Sequence, residues 1–276
     1  MNQDQQRKTF GEGKPDWLEE PCNRALSAQD VVQLLNTQAF FDLLGQPYPA
    51  TREGVIERLE RENLIDRTVK GYSIRRIGAL LLAKRMEDFP FEIGAKAPRV
   101  VVYSGNSKMG TKLGRIQGDG YAVGFERLVQ FIMEQIPQRE VIDDALRKKI
   151  QLVPEVPVRE LVANALIHQD FTLTGIRVMI DIYADRVEIS SPGIPLTPLN
   201  RIIDGRRPQN QRLASIMRDF SIGEGQGGGI DKAIRAMEMA DLPLPEFRAT
   251  SLCANVVLRG RDPFDEMNRN ARVAYR

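Results

Sequence analysis

Glu160, Asn164 and His168 recur at i, i+4 and i+8 within RELVANALIHQDF, so on a helix they line one face. Leu161, Val162, Ala165 and Leu166 fall on the other faces and suit packing, leaving a polar row through an apolar helix. Buried polar atoms need partners, because leaving them unpaired is costly. An asparagine amide oxygen is a neutral ligand that fits the octahedral shell of magnesium beside phosphate and water oxygens. A carboxylate one turn earlier can align or deprotonate a water next to a terminal phosphate. The same spacing also fits a solvated stripe on an amphipathic helix, so a second feature has to decide.

That feature is GEGQGGGIDKA, where Gly225, Gly227 and Gly229 lead straight into a helix starting near Ile230–Asp231. Glycines let the backbone approach a phosphate closely, and a helix start offers free N–H groups with a positive dipole. An isolated Gly-x-Gly-x-Gly is a weak signal. Its place after a Glu-x-x-x-Asn helix, a strand pair and a Pro-Gly turn makes it count. A competing phosphate loop, Gly105-Asn-Ser-Lys-Met-Gly110-Thr111-Lys112, follows a strong strand but puts Thr before Lys and leads into no immediate helix.

The elements that must position these residues read as a mixed α+β chain. SAQDVVQLLN opens a helix at Ser27, QAFFDLLG is a second closed by Gly45, and REGVIERLERENLI places Val55, Ile56, Leu59 and Leu64 on one face. DRTVKGYSI predicts a hairpin turning at Lys70–Gly71, and IGALLLAKR an apolar helix; together these form a small winged-helix-like module over 28–92. RVVVYSG reads as a buried strand, the Gly-rich stretch after it as a long loop, and GFERLVQFIMEQI as a helix. GIRVMIDIYADRVEISSPGIPL gives two strands joined at Ala184–Asp185, followed by helices in NQRLASIMRDF and GGIDKAIRAMEM and a closing strand or hairpin in EFRATSLCANVVLRG. Residues 1–27 read as a flexible arm with Trp17 its only large anchor, and 263–276 as a polar tail.

From Pro157 to about Gly260 the chain resembles the divergent GHKL (gyrase, heat-shock chaperone, histidine kinase, MutL) ATPase module of bacterial and archaeal ATP-binding transcriptional regulators and helicase-related proteins. The resemblance rests on RELVANALIHQDF, DIYADRVEISSPGIPL, RRPQNQRLASIM, EGQGGGIDKAIRAME and LPLPEF in this order, and continues more loosely upstream to about residue 28. It implies a Bergerat-type two-layer sandwich of a mixed sheet and helices over 93–262, holding ATP and magnesium. Asn164 is then the magnesium ligand and Glu160 the water-orienting carboxylate, with His168 and Asp170 shaping the phosphate side. Gly193 sits under the adenine, Gly225, Gly227 and Gly229 form the phosphate loop, and Arg207 and Asn210 belong to a lid. Ser191 stands where standard members place the aspartate that accepts the adenine amino group, which leaves base preference open. Family members often carry a Schlafen-AlbA domain before this region and a winged helix after it; neither is expected in this chain.

A charge balance of 39 basic against 37 acidic residues, net +2, gives no global field for gripping nucleic acid. The arginines of 52–63 alternate with glutamates, so DNA contact through 28–84 would depend on a local patch. Two cysteines and no apolar run of membrane-spanning length suit a soluble, cytoplasmic protein. Autophosphorylation of a histidine-kinase type is disfavoured, since the one histidine, His168, lies inside the proposed site. The sequence therefore implies an ATP/magnesium-binding regulator or component of a nucleic-acid-related system with weak ATPase activity. The alternatives are a nucleotide-switched binding module and a DNA-binding transcriptional regulator without turnover. Homodimerisation, common among GHKL proteins, extends to this chain as an expectation.

Overall fold

A computed structural model describes residues 16–143, 146–194, 209–223 and 228–260, with backbone alone at 139–143 and 146–149. In the N-terminal part, β1 (Pro21–Leu26), α1 (Ala28–Leu34), α2 (Thr37–Leu43), α3 (Arg52–Arg61), β2 (Ile65–Thr68), β3 (Gly71–Arg75) and α4 (Arg76–Leu82) follow one another. Each of the first three helices starts where its sequence offers a cap. Ser27 and Asp30 form a reciprocal capping box, Asn36 accepts from Ala39 N–H and Thr51 from Gly54 N–H. The hairpin turns at Gly71, whose φ of +123° only glycine adopts readily.

β1 departs from expectation. Residues 21–26 pair antiparallel with β3 to make a β1-β3-β2 sheet, so the last six residues before Ser27 are built into the winged-helix-like module. Leu18 is buried and Trp17 packs against the core. Apolar side chains this close to the module's hairpin are worth more buried than solvated, roughly 25 cal/mol per Å² of apolar area.

After α5 (Phe91–Gly94) come β4 (Arg99–Tyr103), β5 (Thr111–Ile116), α6 (Tyr121–Gln135), the hairpin β6 (Gln138–Asp143) and β7 (Leu146–Gln151), and α7 (Glu155–His168). The chain then gives β8 (Met179–Ile182), β9 (Arg186–Pro192), α8 (Gln211–Asp219), α9 (Gly228–Met239), β10 (Glu246–Ala249) and β11 (Cys253–Arg259). Six strands form one mixed sheet in the order β10-β11-β9-β8-β4-β5, with β4 and β8 parallel and the other neighbours antiparallel. Helix α7 lies on this sheet against β9 and is flanked by α6 and α9. Its residues are buried nearly all round, as expected of a helix enclosed between layers. The fold is thus an α+β sandwich of a mixed sheet and helices, preceded by the small helical module.

β5 and the β6–β7 hairpin lie where the sequence suggested only a loop or nothing. β5 is exposed along its whole length at the sheet edge, so no buried face imposes an alternating pattern. It also disposes of the competing phosphate loop. Residues 105–110 turn between antiparallel strands with no helix behind them, and Lys108 donates to the buried Asp181 at 2.9 Å.

Candidate functional site

Glu160 and Asn164 lie on the face of α7 that meets α9, and the contact is close. A Cβ built on Gly229, in the first turn of α9, would stand 2.7 Å from Glu160 Oε2 and 3.6 Å from Asn164 Nδ2. Gly223, at the other end of the glycine segment, has a φ of +71°, and a Cβ there would stand 3.0 Å from Ala163 Cβ. Positions 160, 163 and 164 are one helical turn, so both described ends of the glycine segment straddle one patch of α7. Gly225 and Gly227, between them, lie outside the described residues, as does Arg207. Glu160 is 8% exposed. Asn164 is half-buried, and among the described residues no side-chain hydrogen bond engages its amide.

The C-terminal end of α7 is held by side chains. Its last carbonyls have no partner within the helix, and three successive ones are met in turn. Ser191 Oγ donates to Ala165 O at 2.9 Å, Gln169 Nε2 to Leu166 O at 2.9 Å, and Asn210 Nδ2 to Ile167 O at 2.6 Å. Asn210 also donates to Gln169 O at 2.9 Å. Ser191 and Asn210 thus fix the helix that carries Glu160 and Asn164, a role their sequence positions do not announce. Gln169, fully buried, was not singled out by sequence; its only signal is its place immediately after the helix. Replacing Asn210 by alanine frees two carbonyls and is expected to cost about 1–3 kcal/mol. Urea denaturation measures this, and an unchanged midpoint counts against the capping role.

The chain then turns back. Asp170 N–H donates to Pro192 O at 2.8 Å, and the Asp170 carboxylate accepts from Thr172 N–H at 2.9 Å and Thr172 Oγ1 at 2.6 Å. Gly193, φ +104°, packs so tightly that an added Cβ would lie 2.8 Å from Asp170 Cβ. A side chain at 193 is therefore excluded by backbone conformation and by space together. Asp170, Ser191 and Gly193 form one cluster at the end of α7, two turns from the Glu160–Asn164–Gly229 cluster. His168 keeps solvent access at the helix end, while the protein crowding it disfavours the charged ring and lowers its pKa.

The helical module meets this region through an arginine of α8. Arg212 donates to the carbonyls of Glu62 and Asn63 at 2.6 and 2.8 Å and pairs with Glu19, which also receives Arg75. The C-terminal end of α3 is thereby occupied. Arg58 of that helix bridges Glu62 at 3.0 Å, and Glu60 takes Arg67 at 3.1 Å, so these cations are already matched by carboxylates.

Residues 175–258 match the protein family described as "Putative ATP-dependent DNA helicase recG C-terminal", which marks an ATPase-like module in this part of the chain. Ser191, Gly193, Asn210 and the glycine segment fall inside that span, and Glu160, Asn164, His168 and Asp170 precede it. The crystal structure of the DIP2311 protein from Corynebacterium diphtheriae is similar, with a TM-score of 0.67 and 18% identity over 92% of this chain and 50% of that one. The likeness is one of fold, and this chain spans about half the length of that protein. No curated protein matches the sequence. Among the described residues, no helix is long and apolar enough to cross a membrane.

Proposed function

We propose that the chain binds ATP with magnesium, as a GHKL-type module, between the Glu160–Asn164 face of α7 and the glycine segment leading into α9. One observation carries the reading: Glu160 and Asn164 converge on Gly229, the glycine where the helix start offers its free N–H groups. The ATPase-like family match over 175–258 supports it independently of that geometry.

The residues fit the nucleotide and its metal. Gly229 lets the start of α9 come closer to Glu160 and Asn164 than any side chain would allow, and α9 presents its positive end there. The Asn164 amide oxygen is a neutral ligand that would bind magnesium together with nucleotide oxygens. When bound, magnesium–ATP supplies a polarised terminal phosphate. Glu160, largely shielded from solvent, would orient a water at that end and take its proton. Ser191, Gln169 and Asn210 keep α7 fixed so that both side chains hold their direction, and Asp170 with Gly193 forms the far wall. Ser191 spends its proton on Ala165 O and retains only acceptor lone pairs toward a base.

Glu160→Gln tests the division of roles. The variant is expected to keep the ATP-dependent thermal stabilisation of the wild type while phosphate release falls by about two orders of magnitude or more, in the range typical for loss of a general base. A wild type that ATP and magnesium do not stabilise sinks the proposal. Stabilisation without any phosphate release by the wild type identifies a nucleotide-switched binding module in place of an ATPase.

A further inference from the structure

Lys96 lies between α5 and β4, outside every motif discussed so far, and is only 2% exposed. Fully buried lysines are rare because an ammonium taken out of water needs compensation for each of its donors. Here the ammonium points at the turn that follows α7. Nζ donates to Leu173 O at 2.6 Å and stands 5.9 Å from the centroids of both Trp17 and Phe171. Those two rings stack on each other, 5.2 Å apart and 10° from parallel. Burial lowers the pKa of Lys96, and the negative charge of Asp170 opposes that shift.

The main chain of Lys96 grips the same turn from its other end. Tyr121 Oη donates to Lys96 O at 3.0 Å and accepts from Gln169 Nε2 at 3.0 Å. Gln169 and Leu173 bracket Asp170, so one residue fixes both flanks of the segment that sets Asp170 against Gly193. Trp17 closes the cage from outside and is itself held, with the Arg76 guanidinium 4.6 Å from its ring centroid and Arg76 bridging Glu20 at 2.9 Å. A carbonyl, two aromatic faces and a nearby carboxylate together compensate the buried charge.

We propose that Lys96 is a positioning residue of the nucleotide site: its ammonium holds the Gln169–Leu173 turn so that Asp170 keeps its place beside Gly193, and the N-terminal Trp17 completes the enclosure that keeps the ammonium there. The inference rests on the nucleotide reading above and adds to it a residue from outside the ATPase-like span and a part for the N-terminal segment. Lys96 acts through Asp170 and touches no nucleotide.

Trp17 is the single tryptophan of the chain, so its fluorescence reports on this enclosure without interference. Lys96→Met keeps an unbranched side chain that ends one heavy atom short of Nζ, and removes the charge. With cooperative unfolding retained, the variant is expected to show easier acrylamide quenching of Trp17 in the absence of nucleotide, and ATP affinity by calorimetry weaker by about tenfold, or 1.4 kcal/mol. Asp170→Asn is expected to weaken ATP to a similar extent, and the double variant no further than the worse single one. Losses that multiply would show a lysine that merely supports the fold and overturn the proposal. So would unchanged quenching, or unchanged ATP affinity of Lys96→Met. Should Lys96→Met fail to fold, Trp17→Leu removes the lid and leaves the lysine; ATP weakened several-fold supports the proposal and ATP unaffected overturns it. A wild type that binds no ATP, yet whose Trp17 becomes quenchable in Lys96→Met, sinks the nucleotide reading and with it the role of Lys96 in that site. ATP binding by the wild type with no change in Lys96→Met sinks the Lys96 proposal alone.

Discussion

Asn164→Ala is expected to erase the magnesium-dependent part of the thermal stabilisation that ATP confers, while leaving the melting temperature of the ligand-free protein nearly unchanged. The second half of this expectation follows from the structure. The Asn164 side chain is half-buried, and among the described residues it makes no side-chain hydrogen bond, so truncation orphans no partner and opens no deep cavity. The first half follows from linkage: a ligand at about 100 times its Kd stabilises the folded state by roughly 2.7 kcal/mol, and losing a metal ligand removes most of that. A thermal-shift series with ATP, ADP and GTP, each with and without magnesium, on wild type and variant measures both. Equal shifts in the two proteins place the metal elsewhere. An ATP shift in the wild type that magnesium does not deepen also counts against Asn164 as its ligand. The GTP arm tests the proposed place of Ser191 at the base, since its hydroxyl proton is already given to Ala165 O.

What the sequence made legible was local or periodic. The cap at Ser27, the turn at Gly71 and the strand pair 179–192 each follow from a few neighbouring residues whose conformational preferences agree. The Glu160–Asn164 row was legible because helical spacing alone puts the two on one face. Gly229 was legible as a glycine before a helix, but its approach to Glu160 is a fact of tertiary packing between α7 and α9. The parts missed share a cause. β1 becomes a strand only because β3 is there to pair with it, and β5 lies at an edge with neither face buried. Ser191 and Asn210 reach back across 26 and 43 residues to cap α7, and Lys96 reaches across 77 to Leu173. No window of sequence contains both partners of such a bond. The Gly105–Lys112 loop shows the converse: a local pattern that resembles a phosphate loop, yet turns between the antiparallel strands β4 and β5 with no helix behind it.

Gly229→Ala should separate stability from chemistry more sharply than any other single change. Gly229 sits in the first turn of α9, and alanine in a helix is favoured over glycine by about 1 kcal/mol, so propensity alone predicts a more stable protein. The new methyl group would, however, stand 2.7 Å from Glu160 Oε2. That atom is the end of a flexible side chain, so the clash is relieved by moving the carboxylate, at a cost comparable to the gain in propensity. The expected denaturation midpoint is therefore within about 1 kcal/mol of wild type. If Glu160 orients the attacking water as proposed, displacing its carboxylate by about 1 Å is a different matter, since misplacement on that scale costs on the order of a hundredfold in rate. Phosphate release by Gly229→Ala should fall that far with the fold intact. In a Glu160→Ala background the same methyl meets no carboxylate, and there it should add no further loss of rate. A second large loss in that background would mean that Gly229 acts by admitting the phosphate itself, and that Glu160 is a bystander to its effect.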